Sequence, residues 1–388
     1  MVRLLLFSAR IIKVKRKGGC SMKKFICISC MLFFLSADQQ FNLRRKEESF
    51  VGWSEGVRLC ENCSLVAIDL VGRDLRQAQL QGAKLVAADL LAARLDWANL
   101  TQAELYNARL TYSSLNQAVL NEANMVDAVL DYAQLIKVDC RDCNAYGASF
   151  MEAIATDANF FNADLRDADF QNATIGRAIF QNAKLSRAKF NGASAIEANF
   201  KNTTLQSASF VNAVIDSAVF VLADLLQANL KGVSALNTNF TSADLRYANF
   251  FKAKLSAANF EKAKLQNSYF VKANLRSAVF TDARYNNANF SGANLLQAYD
   301  FNDKTPGIVL CDTTMPDGSI ANNQCEQMLP VMNFFKNEEL RREKAEKQAI
   351  EKAQEQAKKP VTFDQVKTAP KIPDVSASKP IGDDPKTL

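Results

Sequence analysis

The 388-residue chain contains no histidine. That absence removes the commonest general base at neutral pH, the Ser-His and Cys-His arrangements of nucleophilic catalysis, and every His-containing metal site. Glycine is sparse, at 14 residues, and no glycine-rich phosphate loop follows a strand-like run. The most apolar stretch, Phe25–Leu35, has eleven residues, whereas a bilayer span needs about 20. Carboxylates are scattered rather than paired. No enzyme, cofactor or metal site is expected from this composition. The formal net charge of +6 is also misleading. Eight basic residues lie before Asp38 with no acid among them, leaving 39 basic and 41 acidic residues from Asp38 onward. The basic balance belongs to the N-terminus and gives no support to nucleic-acid binding.

What the chain does have is a period of five. From Leu65 to Leu295 every fifth residue gives 47 centre positions, holding 24 Leu, 14 Phe, Met125, Ile175, Ile215, four Ala, Cys140 and Tyr285. Two residues before the centre, 37 of the 47 positions are Ala, and the position between favours Asp, Asn, Lys or Ser. A helix smears residues five apart around its axis, and a plain strand turns alternate centres to opposite faces. A short fixed period points instead to a solenoid. One large and one small apolar residue per five suit a narrow tube, the large one filling the bore and the small one sitting where the wall turns inward. The other three positions face water.

Motifs such as Ala168-Asp169-Phe170, Ala248-Asn249-Phe250 and Ala273-Asn274-Leu275 resemble the pentapeptide-repeat family, with its consensus A-(D/N)-(L/F)-x-x, over 235 of the 388 residues. The resemblance implies an all-β solenoid, a right-handed quadrilateral β-helix with four pentapeptides per coil, so that residues twenty apart stack. That makes about 12 coils and a rod of roughly 55 Å at the spacing of neighbouring strands.

Around this array, residues 60–299, the chain divides by composition. Residues 22–37 read as a signal peptide: Lys23-Lys24, the apolar Phe25–Leu35, then Ser36-Ala37 for cleavage before Asp38. Residues 1–21 are a basic leader or untranslated, since Lys17-Gly18-Gly19 can be encoded by a purine-rich ribosome-binding sequence just ahead of Met22. Residues 38–59 are expected to cap the first coil. After Leu295 the period fails at Asp300, and Pro316-Asp317-Gly318 marks a turn between strand-like runs. Residues 300–329 are therefore read as a C-terminal cap hairpin, 330–359 as a charged α-helix stopped by Pro360, and 360–388, with five prolines, as a disordered tail. Val331, Met332, Phe334 and Phe335 are expected to pack on the cap.

Inside the array Phe falls on every tenth residue from Phe150 to Phe290, except at Leu230, which sets Phe on two opposite walls. Ala155, Ala195 and Ala235 recur on a third wall, and Ile196 and Leu236 are expected to swing inward beside two of them. Cys60, Cys63, Cys140 and Cys143 mimic a four-thiolate zinc site, but 80 residues are four coils, roughly 19 Å, too far for one metal. Each pair points inward, as core thiols or as a local disulfide. Cys311 and Cys325 bracket the hairpin and are expected to pair in an exported protein.

The outer surface offers one candidate for binding. Val66, Val86, Tyr106, Val126 and Tyr146 follow the centre position twenty apart on one wall, with Tyr112 and Tyr132 on the adjacent wall, forming an apolar–aromatic strip on the first five coils. The alternative is that such residues merely favour strand positions. Charge divides as well, with 8 basic and 16 acidic residues over 61–170 and 14 basic and 7 acidic over 171–300. The leading expectation is a non-enzymatic exported protein, periplasmic or extracellular, acting as a scaffold for an unknown protein partner. In it 330–359 supplies a second contact or a homodimer seam. The alternatives are a secreted effector acting in a host cell and, as the resemblance allows, a DNA mimic that protects type II topoisomerases. The mimic needs a strongly acidic cytoplasmic rod, whereas the array over 61–300 holds 22 basic and 23 acidic residues.

Overall fold

The computed structural model describes residues 60–323 and Cys325. The expected leader, signal peptide, N-terminal cap, charged helix and tail lie outside the described residues, as does the packing expected of Val331 and its neighbours.

Each pentapeptide is built the same way: a two-residue turn, a small inward residue, an outward residue, then the inward centre. The outward residues form parallel bridges to residues twenty later. Ser64 bridges Lys84, Asp69 bridges Asp89, Asp74 bridges Arg94 and Gln79 bridges Asn99, one bridge on each of four walls. The lattice continues to Asn294 and Thr314, making about 12 coils at one rung per coil. Buried backbone polar groups need partners, and the coil supplies them in a repeating way. Leu100 N donates to Val119 O at 2.7 Å, Trp97 N to Asn116 O at 2.9 Å and Asn99 N back to Ala78 O at 2.8 Å. Ala98 N closes the turn onto Leu95 O at 3.0 Å. The remaining donor, the first turn N–H, finds a side chain. Thr101 N donates to Asn99 Oδ1 at 3.1 Å and Gln171 N to Asp169 Oδ1 at 3.0 Å. This is why Asp or Asn precedes the centre so often: its oxygen caps the corner.

The second turn residue is left-handed throughout, with φ between 53° and 63° wherever it is not glycine. Left-handed backbone is costly for L-residues and worst for β-branched ones. Accordingly, no Val, Ile or Thr stands at this position from Asn62 to Gln297, while the first turn position accepts Val66, Thr101 and Ile136. No proline occurs between residues 60 and 305, where it would break a rung.

The bore is a continuous apolar column. Phe170 stacks on Phe150 at 4.6 Å and on Phe190 at 5.1 Å along one wall, while Phe160 and Phe180 stack at 5.1 Å along the opposite one. The two ladders meet edge to face across the bore, Phe170 to Phe180 at 5.8 Å. On a third wall Ala155, Ala195 and Ala235 alternate with the larger Ile175, Ile215 and Leu255, all of them buried. Ile196 does not swing inward as expected; it is 43% exposed, and Leu236 is only half-buried, because both occupy turn positions. Hydroxyl residues at the small inward position satisfy themselves on the backbone, as Ser113 Oγ does on Leu110 O at 2.6 Å and Thr203 Oγ1 on Phe200 O at 2.7 Å.

The ladder outlasts the sequence period. After the break at Asp300, Val309 bridges Asn289 and Thr314 bridges Asn294. Strand β1, Leu310–Thr314, therefore continues two walls while pairing antiparallel with β2, Ile320–Asn323. Phe301 stacks on Tyr285 at 5.3 Å and stands edge-on to Phe290 at 5.1 Å.

Candidate protein-interaction face

The predicted strip is brought together, though not on walls. Val66, Val86, Tyr106, Val126 and Tyr146 are first turn residues and line one corner of the coil; Tyr112 and Tyr132 are second turn residues on the next corner. The two corners are the two edges of a single wall, whose outward residues are Asp69, Asp89, Arg109, Val129 and Ser149. Strand preference does not explain turn residues, so that reading of the strip falls. Val66, Tyr106, Tyr112, Tyr132 and Tyr146 are exposed, and Val86 and Val126 are half-buried. Val71 and Met151, which the period alone did not single out, are exposed on the same second edge. Tyr112 and Tyr132 stack at 4.9 Å with their planes 18° apart. Glu152 accepts a hydrogen bond from the Tyr132 hydroxyl at 3.3 Å, and its charge raises the phenol's pKa. On the other edge the Arg166 guanidinium lies 5.5 Å from the Tyr146 ring centre.

Ion pairs lace the remaining surface in two patterns. An outward Asp pairs with Arg two residues on, as Asp139–Arg141, Asp164–Arg166 and Asp244–Arg246 do, each at 2.7 Å. Other pairs join stacked coils, as in Asp157–Arg177 at 2.7 Å and Asp167–Arg187. Partial burial pushes the Asp164 carboxyl up, but the hydrogen bonds and charge of Arg166, with Lys184, outweigh this and hold its pKa below the usual value. Asp139 and Asp244 behave alike, and Asp157 is lowered chiefly by its hydrogen bond from Arg177. A depressed folded pKa contributes stability above the unfolded value of about 3.9 and loses it as pH falls through the folded value. The midpoint of thermal unfolding is therefore expected to drop as pH falls from about 5 to about 2, and Asp164→Asn is expected to flatten part of that dependence in calorimetry.

Among the described residues the cysteines lie inward or at the hairpin. Cys60–Cys63 and Cys140–Cys143 are disulfides across a single corner, each with Cα atoms 5.3 Å apart, and all four residues are buried. Cys311 is joined to Cys325, Cα to Cα 4.9 Å. Among the described residues no group of three or more His, Cys, Asp or Glu side chains is arranged to hold a metal. A shallow hollow of about 520 Å³, lined by Thr281, Asp282 and residues 300–304, holds carboxylates and one lysine without a nucleophile–base pair. Among the described residues no helix is long and apolar enough to cross a membrane.

Similar structures share the repeat. HetL, a pentapeptide repeat protein involved in heterocyst differentiation regulation in the cyanobacterium Nostoc sp. strain PCC 7120, is 25% identical, with 61% of this chain and 92% of that one covered and a TM-score of 0.21. QnrB1, a plasmid-mediated fluoroquinolone resistance protein, is 13% identical, with 54% and 95% covered and a TM-score of 0.20. A pentapeptide repeat protein of the Arabidopsis thaliana thylakoid lumen is 24% identical, with 36% and 69% covered and a TM-score of 0.18. No curated protein matches the chain. The model of pentapeptide repeats matches in 8 copies, over residues 63–102, 103–139, 133–172, 183–220, 223–261 and 253–297. With more than half the chain matched and the Ala-Asx-Leu/Phe unit closing each corner in the same way, the chain belongs to the pentapeptide repeat family.

Proposed function

We propose that the protein is an exported, non-enzymatic scaffold that binds a protein partner through the apolar-edged wall of its first five coils. One observation carries this reading. Val66, Val71, Tyr106, Tyr112, Tyr132, Tyr146 and Met151 are all at least 36% exposed and flank one wall over those coils. Corner positions serve equally well with polar residues, so clustering large apolar groups there gains nothing for folding and suits a contact surface. The right-handed quadrilateral rod of about 12 coils is the rigid support, with the hairpin Leu310–Asn323 as its cap and residues 330–359 as a second contact or dimer seam. Export to the periplasm or medium follows from the signal reading of residues 22–37, which places the mature N-terminus near Asp38 and suits the three disulfides.

The test replaces Tyr106, Val126 and Tyr146 together by Lys. Thermal unfolding should stay close to wild type, since these side chains lie outside the bore, while capture of the native partner from envelope or medium fractions is lost. Undiminished capture by the triple variant removes this wall from consideration.

A further inference from the structure

The wall's charge and its ring geometry say what chemistry its partner carries, granted the reading above that this wall binds a protein. On the wall and its two edges from Val66 to Glu152 the acids are Asp69, Asp89, Asp127, Asp131 and Glu152, and the base is Arg109. Arg109 is already spent on Asp89, at 2.9 Å. Asp69 caps the Val71 N–H, Asp131 accepts from Ser149 Oγ and Met151 N, and Glu152 accepts from Tyr132; none of these carboxylates, nor Asp127, has a cation beside it among the described residues. Four carboxylates thus lie unbalanced on the same wall that carries the exposed tyrosines.

The tyrosine ladder also stops short. Tyr132 covers one face of Tyr112, but the next two corners in the column are Ala92 and Gly72. A Cβ added at Gly72 would meet nothing within 4 Å. One ring face of Tyr112, itself 60% exposed, is therefore open to a flat group at the coil spacing. The opposite edge of the wall shows what suits such a face here, since Arg166 lies over Tyr146. A guanidinium both stacks on an aromatic face and forks onto carboxylates, which an ammonium does not. Arg94, two residues beyond Ala92, is exposed on the neighbouring wall, so discrimination at the slot comes from stacking rather than from local charge.

We propose that the partner is a basic polypeptide that sets an arginine on the open face of Tyr112 while its other cations meet Asp69, Asp127, Asp131 and Glu152. The probes are fluorescent nona-arginine, nona-lysine and nona-glutamate peptides, titrated by anisotropy into the mature protein. Nona-arginine should bind about fivefold to tenfold more tightly than nona-lysine, and nona-glutamate not measurably. Tyr112→Ala should bring the arginine peptide down to the lysine level. Asp127→Asn with Asp131→Asn and Glu152→Gln should weaken both cationic peptides and steepen no salt dependence. Equal affinity for the two cationic peptides in the wild type overturns the stacking slot, and equal binding of nona-glutamate overturns the charge assignment. Loss of the native partner in the Tyr106, Val126 and Tyr146 variant, with nona-arginine ignored by the wild type, retires this chemistry alone and leaves the wall as a binding surface. Retention of the native partner by that variant retires the wall itself.

Discussion

Phe200→Ala is expected to destabilise the β-helix by about 3–5 kcal/mol. Phe200 is fully buried, stacked between Phe180 at 4.8 Å and Phe220 at 4.7 Å, with Phe190 and Phe210 edge-on at 5.7 and 5.9 Å. Removing the ring opens a cavity that the walls cannot close. Each wall is held to the coils on either side by hydrogen bonds of 2.6–3.2 Å, such as Phe200 N to Val219 O at 2.7 Å, so relaxation is confined to side chains. The loss should appear as a lower urea midpoint at unchanged slope. Because each coil touches only its neighbours, amide exchange should quicken most around residues 180–220. A cost below about 1 kcal/mol would mean that the ladder is not the packed core described here.

Asn202→Pro should cost at least about 3 kcal/mol, for a reason unrelated to burial. Asn202 is an exposed corner residue with φ of 56°, and its N–H donates to Val221 O at 2.9 Å. Proline fixes φ near −65° and has no N–H, so both the corner and one inter-coil rung are lost. Asn202→Gly is the control. It relieves the left-handed backbone while giving up the Nδ2 hydrogen bond to Asn182 Oδ1 at 3.0 Å, and should stay within about 1 kcal/mol of wild type. Urea unfolding of the pair separates backbone geometry from side-chain contacts. Equal stability of the two variants would contradict the left-handed corner.

The bore was legible in the period of five, because apolar spacing reports which side chains share an interior, whereas the stacking of residues twenty apart was implied by the family resemblance, since a period of five does not fix how many repeats make a coil. Which outward residues lie on walls and which at corners was not legible from that period, since all three outward positions tolerate polar residues. A usable signal was present all the same: the exclusion of Val, Ile and Thr from one position in five marks the left-handed corner and would have phased the coil. That phase converts Tyr106 and Tyr112 from residues of two walls into the two edges of one. The inward Cys140 and Cys143 could be read as buried but not as bonded, because burial suits a thiol and a disulfide equally. Ile196 was misplaced because its outward turn position was judged by the gap at Ala195 instead of by the corner it occupies.

The specific contact proposed for one wall is addressed most directly by site-specific photo-crosslinking in native cells. A photoreactive phenylalanine analogue would replace Tyr106 in one variant and, in another, Tyr299, which is 62% exposed on the opposite wall. A discrete adduct from position 106, absent from position 299 and abolished by Asp127→Asn with Asp131→Asn, is the predicted result. No adduct at 106, or the same adduct from both walls, would contradict it.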